Sequence, residues 1–202
     1  MITKGMGAMS AGSSNGQVSK AAIKEAFLKF YAKKPLAQIS VKEISDSCNL
    51  SRTTFYFYFE DINALYQECV QDAMRLMDTS LPDLILFTVG HDFDRYVSAY
   101  TSHLTDVKKN RALYSALLLG SESESFREQW LGSIYRHYEK TMSFSRNVRP
   151  ELKENLIRFF SSGELGNVTA WILSGCKTPE NTIALSSAQI LFYGVFGANL
   201  RE

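Results

Sequence analysis

From Ser19 onward apolar residues return every three or four positions and no stretch sustains period-two alternation, a pattern of amphipathic helices rather than strands. Ile23, Ala26, Phe27, Phe30 and Tyr31 mark one face of a first helix, with Lys20, Lys24 and Lys29 lying elsewhere on it. Ser19 suits its N-cap, and Pro35 ends it near Lys34. Ser40-Val41-Lys42-Glu43 has the Ser-x-x-Glu spacing of a capping box and opens a second helix reaching about Ser47. Cys48-Asn49-Leu50 predicts a tight turn in which Asn49 takes the left-handed backbone that Asn tolerates. Ser51 then caps two helical turns, Arg52 to Tyr58. After Asp61, the residues Ile62, Leu65, Tyr66, Cys69, Ala73 and Leu76 mark a long helix that stops near Leu81-Pro82. Further helices are expected at about 92–109, 111–119, 123–145, 150–175 and 178–200, punctuated by Gly120, Pro150 and Thr178-Pro179.

The expected fold class is therefore all-α. Two short helices joined by a three-residue turn, behind a basic amphipathic helix, are the parts of a three-helix helix-turn-helix head, and the remainder predicts a C-terminal helical bundle. The division expected is a flexible tail over residues 1–18, rich in Gly, Ser and Ala, a head over 19–60 and a body over 61–202.

Composition narrows this picture. A chain of 202 residues with 45% hydrophobic and 21% charged side chains holds one sizeable core, or a small domain joined to a larger one. The most apolar run, Ile190 to Ala198, has nine residues and two glycines, far short of the roughly 20 needed to cross a bilayer, so no membrane partner is expected. The N-terminal segment lacks the basic-then-apolar order of a secretory signal. Cys48, Cys69 and Cys176 are odd in number and form no C-x-x-C pair, which fits a reducing cytoplasm and indicates no zinc site.

Charge is unevenly placed. The net charge is +1, yet residues 1–59 carry eight basic side chains against three acidic ones, giving +5, and the remainder carries −4. A basic head on a mildly acidic body suits a segment that meets nucleic-acid phosphates. In a helix-turn-helix the second helix lies in the major groove with its N-terminal side chains at base edges. Arg52 there suits a guanine edge, Thr53 and Thr54 a thymine methyl or a phosphate, and Tyr56 and Tyr58 phosphate oxygens, with Ser40, Lys42 and Ser51 as flanking contacts to double-stranded DNA. Ile44, Leu50, Phe55 and Phe59 are the expected core beneath them.

At these residues the chain resembles the tetracycline-repressor (TetR) family of transcription regulators. The segment from Ala21 through Leu65 carries the resemblance, above all ISVKEISDSCNLSRTTFYFYFEDINAL. The family pattern implies an all-α homodimer whose N-terminal head reads a palindromic operator and whose body binds a small effector that usually releases DNA. It also implies that the last two helices form a four-helix interface between two copies. Asn49 stands where the family usually has Gly, Tyr58 where His is common, and Ile62 where many members have a phosphate-contacting Lys, with Glu60 and Asp61 adding negative charge beside it. These departures support a rival expectation, an interaction protein of the same fold that has lost DNA binding and acts through a protein or metabolite.

For the body, Tyr100, His103, Trp130 and His137 are the candidate ligand contacts, because each combines bulk with a polar tip suited to a mostly apolar small molecule. The three histidines, His91, His103 and His137, lack the spacing of a helical metal pair. No cluster of acid, base and nucleophile is apparent, so no enzymatic activity, metal or cofactor is expected. Gly163-Glu164-Leu165-Gly166, with Gly194 and Gly197 in the last helix, reads as a device for close helix packing.

Overall fold

The computed structural model describes residues 10–79, 91–142 and 149–198, with the side chains of 10–18, 141 and 195–198 set aside. Among the described residues there are nine α-helices and no strand. They are α1 (Ser10–Tyr31), α2 (Val41–Ser47), α3 (Arg52–Tyr58), α4 (Ile62–Asp78), α5 (Phe93–Lys109), α6 (Arg111–Leu119), α7 (Ser123–Thr141), α8 (Pro150–Leu173) and α9 (Glu180–Ala198), with one 3-10 turn at Leu36–Gln38. None of them is long and apolar enough to cross a membrane.

The all-α class and the head-and-body order are as the periodicity implies. The start of the first helix differs. Residues 10–18, expected within the tail, belong to α1. Once a helix is anchored by packed side chains, each added residue costs little and gains one backbone bond, so weak helix formers can follow. The rest of the expected tail lies outside the described residues. The fourth helix ends at Asp78 and the seventh at Thr141, and both are shorter than their apolar patterns suggest.

The head is built on α1. Ile23, Phe27 and Tyr31, one helical turn apart, are buried against Ile44 of α2, Phe55 of α3, Phe59 and Leu65 of α4. Each such side chain contributes about 1.5–3 kcal/mol when fully buried. The α2–α3 turn closes as a Schellman motif: the Leu50 N–H donates to the Ser45 carbonyl at 3.0 Å and the Asn49 N–H to Asp46 at 3.3 Å. That motif demands a left-handed residue, and Asn49 supplies φ +55°.

α4 joins head to body. Its buried residues Leu65, Cys69, Ala73 and Met77 recur every fourth position, so one stripe enters the head core at one end and the body at the other. On its flank Lys24 of α1 bridges Glu68 and Asp72, each at 2.6 Å, and Lys20 reaches Glu68 at 2.7 Å. The Tyr114 hydroxyl of α6 donates to the Ala73 carbonyl at 2.9 Å, and Ser133 of α7 to Asp78 at 3.4 Å. The body core centres on Tyr96, Leu104, Tyr114, Leu117, Phe126, Trp130 and Trp171. The loop between α6 and α7 also touches the head: the Glu122 N–H donates to the Tyr31 hydroxyl at 2.9 Å and the Leu36 N–H to the Ser121 hydroxyl at 3.1 Å. Gly120 lies flush on the Tyr31 ring, where a Cβ would overlap ring carbons.

That contact generates a prediction. Gly120→Ala displaces Tyr31 and costs about 1–3 kcal/mol, while Tyr31→Phe strands the Glu122 N–H for a similar loss. Denaturant unfolding of both variants checks this, and unchanged midpoints would mean that the loop only grazes the head.

Candidate functional site

Two regions of the structure carry the residues singled out in the sequence. The first is the exposed face of α3. Ser51 caps the helix by accepting the Thr54 N–H at 3.0 Å, and the two hydroxyls lie 2.9 Å apart. With Phe55 and Phe59 turned into the core, Arg52, Thr53, Tyr56 and Phe57 share the outward face. Tyr56 is 57% exposed and Phe57 79%. Tyr58 is half-buried beside Phe59, and Thr54 is also half-buried.

The residues flanking α3 are partly committed. Ser40 completes its capping box, its hydroxyl donating to Glu43 at 2.8 Å and its backbone N–H to the same carboxylate at 3.0 Å. The Lys34 ammonium, followed by Ser40, holds the Glu43 carboxyl down at about 2. Lys42 pairs with Asp46 at 3.2 Å, and Lys29 with Glu25 at 2.7 Å. Asp61 caps α4 through the Ala64 N–H at 2.7 Å, so its charge faces a helix N-terminus. Much of the positive charge counted in this segment is therefore matched locally. Among the described residues Lys33 and Arg52 enter no ion pair.

The second region is a cavity of about 50 Å³ in the body. Met77 of α4, Tyr96, Tyr100 and His103 of α5, Trp130, Ile134, His137 and Tyr138 of α7, and Glu164 and Val168 of α8 line it. The four expected contacts Tyr100, His103, Trp130 and His137, from two helices, are all among its lining. Tyr100 and His103 stack at 6.0 Å between ring centroids, and His137 meets Tyr138 edge-on at 5.3 Å. Burial pushes both histidines down to about 4, so both are neutral at pH 7. No group of three or more metal-ligating side chains stands together among the described residues.

Residues 97–192 match a TetR-type family described as a transcriptional regulator C-terminal region. The matched stretch is similar to the C-terminal region of TetR-type transcriptional regulators. Its fold is similar to that of the fatty acid degradation regulator FadR from Bacillus halodurans, at 14% identity and a TM-score of 0.59, over 95% of this chain and 98% of that one. NalD, the secondary repressor of the MexAB-OprM multidrug efflux pump in Pseudomonas aeruginosa, aligns over 90% of this chain and 97% of its own at 15% identity and a TM-score of 0.60. A TetR transcriptional regulator from Streptococcus agalactiae aligns over 89% and 97% at 17% identity and a TM-score of 0.56. No curated protein sequence matches the chain.

Sequence reasoning missed two residues. One is Phe57, an aromatic that stands well exposed on α3's outer face beside Tyr56. Glu164 was absorbed into a presumed packing motif. Glu164 lines the cavity, Ser187 hydrogen-bonds its carboxylate, and its Oε1 is buried with no hydrogen-bond partner among the described residues. The available signal was a lone acid between Phe160 and Val168 on an otherwise apolar helix face. The glycines beside it do not pack closely within the protomer, since a Cβ at Gly163 or Gly166 would meet nothing within 4 Å. Gly194 likewise faces open space, and its φ of +71° breaks α9; its role is conformational. The packing at Gly197 lies outside the described residues.

Burial raises the Glu164 carboxyl to about 7. Between the ordinary value near 4.5 and 7 the folded chain holds a proton that the unfolded chain has released, so this group's contribution to stability falls as pH rises through that window. Glu164→Gln does not titrate. It should therefore gain stability relative to wild type from pH 5 to pH 8, on the order of 1–3 kcal/mol. Paired denaturation curves read the difference directly, and the histidines, common to both proteins, cancel.

Proposed function

We propose that the chain is a ligand-responsive DNA-binding regulator, most simply a repressor, acting as a homodimer on a palindromic operator. The observation that carries this reading is the course of α4: Leu65 is buried in the head core and Met77 lines the body cavity, on one stripe of one helix. A cavity of about 50 Å³ has room for a few water molecules, against the roughly 300 Å³ of a small-molecule site. An effector therefore enters by separating the lining helices. Displacement of Met77 is carried along a rigid helix to Leu65, and thus to α1 and α3.

On DNA, α3 lies in the major groove with Arg52 and Thr53 at base edges and Tyr56 and Phe57 against sugar, phosphate or thymine methyl groups. Two heads set roughly 34–36 Å apart meet successive turns of one duplex face. The second copy docks on α8 and α9. Phe159, Gly163, Gly166, Ala170 and Leu173 follow alternating steps of four and three along α8, and all are exposed, Phe159 to 69%. Leu185 and Ile190 of α9 are exposed as well. The open space beside both glycines admits a facing helix, and a two-fold contact suits such a self-complementary stripe. Repression is favoured by the NalD likeness, a protein described as a repressor.

Enrichment of genomic fragments on the purified protein at about 0.15 M salt, followed by titration of the best fragment, tests the reading. A palindromic site is expected, and Arg52→Ala should lose about 1–3 kcal/mol of discrimination at one base position. A folded dimer that enriches no sequence would instead support a protein-binding or metabolite-binding role for the same fold. Phe159→Glu should shift the protein to monomer in sedimentation with its helicity intact; a dimer that persists would place the two-fold contact elsewhere.

A further inference from the structure

The cavity's chemistry is more specific than its apolar character. Its lining contains one acid, Glu164, and among the described residues no lysine or arginine. The Oε1 oxygen of that acid is buried without a hydrogen-bond partner, and the buried Trp130 Nε1–H also lacks one. Four aromatic side chains, Tyr96, Tyr100, Trp130 and Tyr138, surround the same space, with their ring faces as sources of negative potential. From this juxtaposition we infer that the cavity selects a small organic ammonium ligand, with Glu164 as its counter-charge and the aromatic rings as its walls.

The alternatives are less favourable physically. An anionic ligand would enter a site holding a carboxylate and no cation, and both histidines are neutral there. A neutral ligand leaves the buried carboxyl either protonated or, once ionised, uncompensated in a medium of low dielectric. An ammonium ion supplies the missing opposite charge, while its alkyl groups meet the rings. Its positive charge also opposes the burial that raises the Glu164 carboxyl, an effect that the Ser187 hydrogen bond offsets only in part. The Trp130 N–H adds a donor for an oxygen on the same ligand.

This inference rests on the effector-cavity reading, and the test separates the two. Three ligands of one shape are titrated calorimetrically into the full-length protein: choline, its carbon isostere 3,3-dimethylbutan-1-ol, and 3,3-dimethylbutanoate. Choline should bind at least tenfold more tightly than the neutral alcohol, and the carboxylate least tightly. Glu164→Gln should abolish the preference for choline, so that choline binds no more tightly than the alcohol. Equal binding of choline and the alcohol, tighter binding of the carboxylate, or an undiminished choline preference in Glu164→Gln overturns the inference. Because the three-ligand comparison on wild type needs no variant, it stands even if the substitution unfolds the chain. Absence of binding by all three at millimolar concentration overturns the cavity reading itself.

Discussion

Everything in this fold hangs on the single apolar stripe of α4. A helix of 17 residues is long enough to enter two cores, and Leu65, Cys69, Ala73 and Met77 place its buried face in both. Helices resist bending unless a proline, a glycine or an inserted group opens their hydrogen-bond ladder, and α4 contains neither proline nor glycine. α4 is therefore a stiff strut between the two cores. The Tyr114 and Ser133 hydrogen bonds hold its far half to the body, and Lys20 and Lys24 hold its near half to α1. The Gly120–Glu122 loop adds a second contact between head and body, against Tyr31 and Leu36. Two connections of this kind define the head's orientation more narrowly than one.

Electrostatics in the head illustrates how a charge count and an available charge differ. Lys24 lies half-buried between Glu68 and Asp72; burial works against its charge, and the bonds to the two carboxylates outweigh it, holding the ammonium above its ordinary value. Such a lysine binds α1 to α4 rather than a phosphate. Lys34 and Lys42 have neighbouring partners in Glu43 and Asp46. The outward face of α3 is correspondingly less cationic and more aromatic than the segment's +5 implies, with Tyr56 and Phe57 beside Arg52. Such a face offers a partner more shape and apolar surface than charge.

The body cavity presents the opposite economy of polar groups. Ordinary cores bury polar atoms only when their hydrogen bonds are met. Here a carboxylate oxygen and an indole N–H are enclosed unmet around a space lined by tyrosines and neutral histidines. Buried groups of this kind cost stability, so their presence in one cavity distinguishes it from the well-satisfied core at Tyr114, whose hydroxyl donates to Ala73.

Much of the architecture was legible from residues alone, because helix boundaries and turns are local. The capping box at Ser40, the Asn49 turn, and the caps at Ser51 and Asp61 stand as their side-chain chemistry dictates. The all-α class follows from periodicity for the same reason. Tertiary structure alone decided which polar groups meet: that Glu164 of α8 shares a cavity with His103 and His137, that lysines of α1 are matched by acids of α4, and that Gly163 and Gly166 face open space. These depend on how helices distant in sequence are juxtaposed, and a 3.6-residue period specifies which face of a helix is buried but not which neighbour covers it.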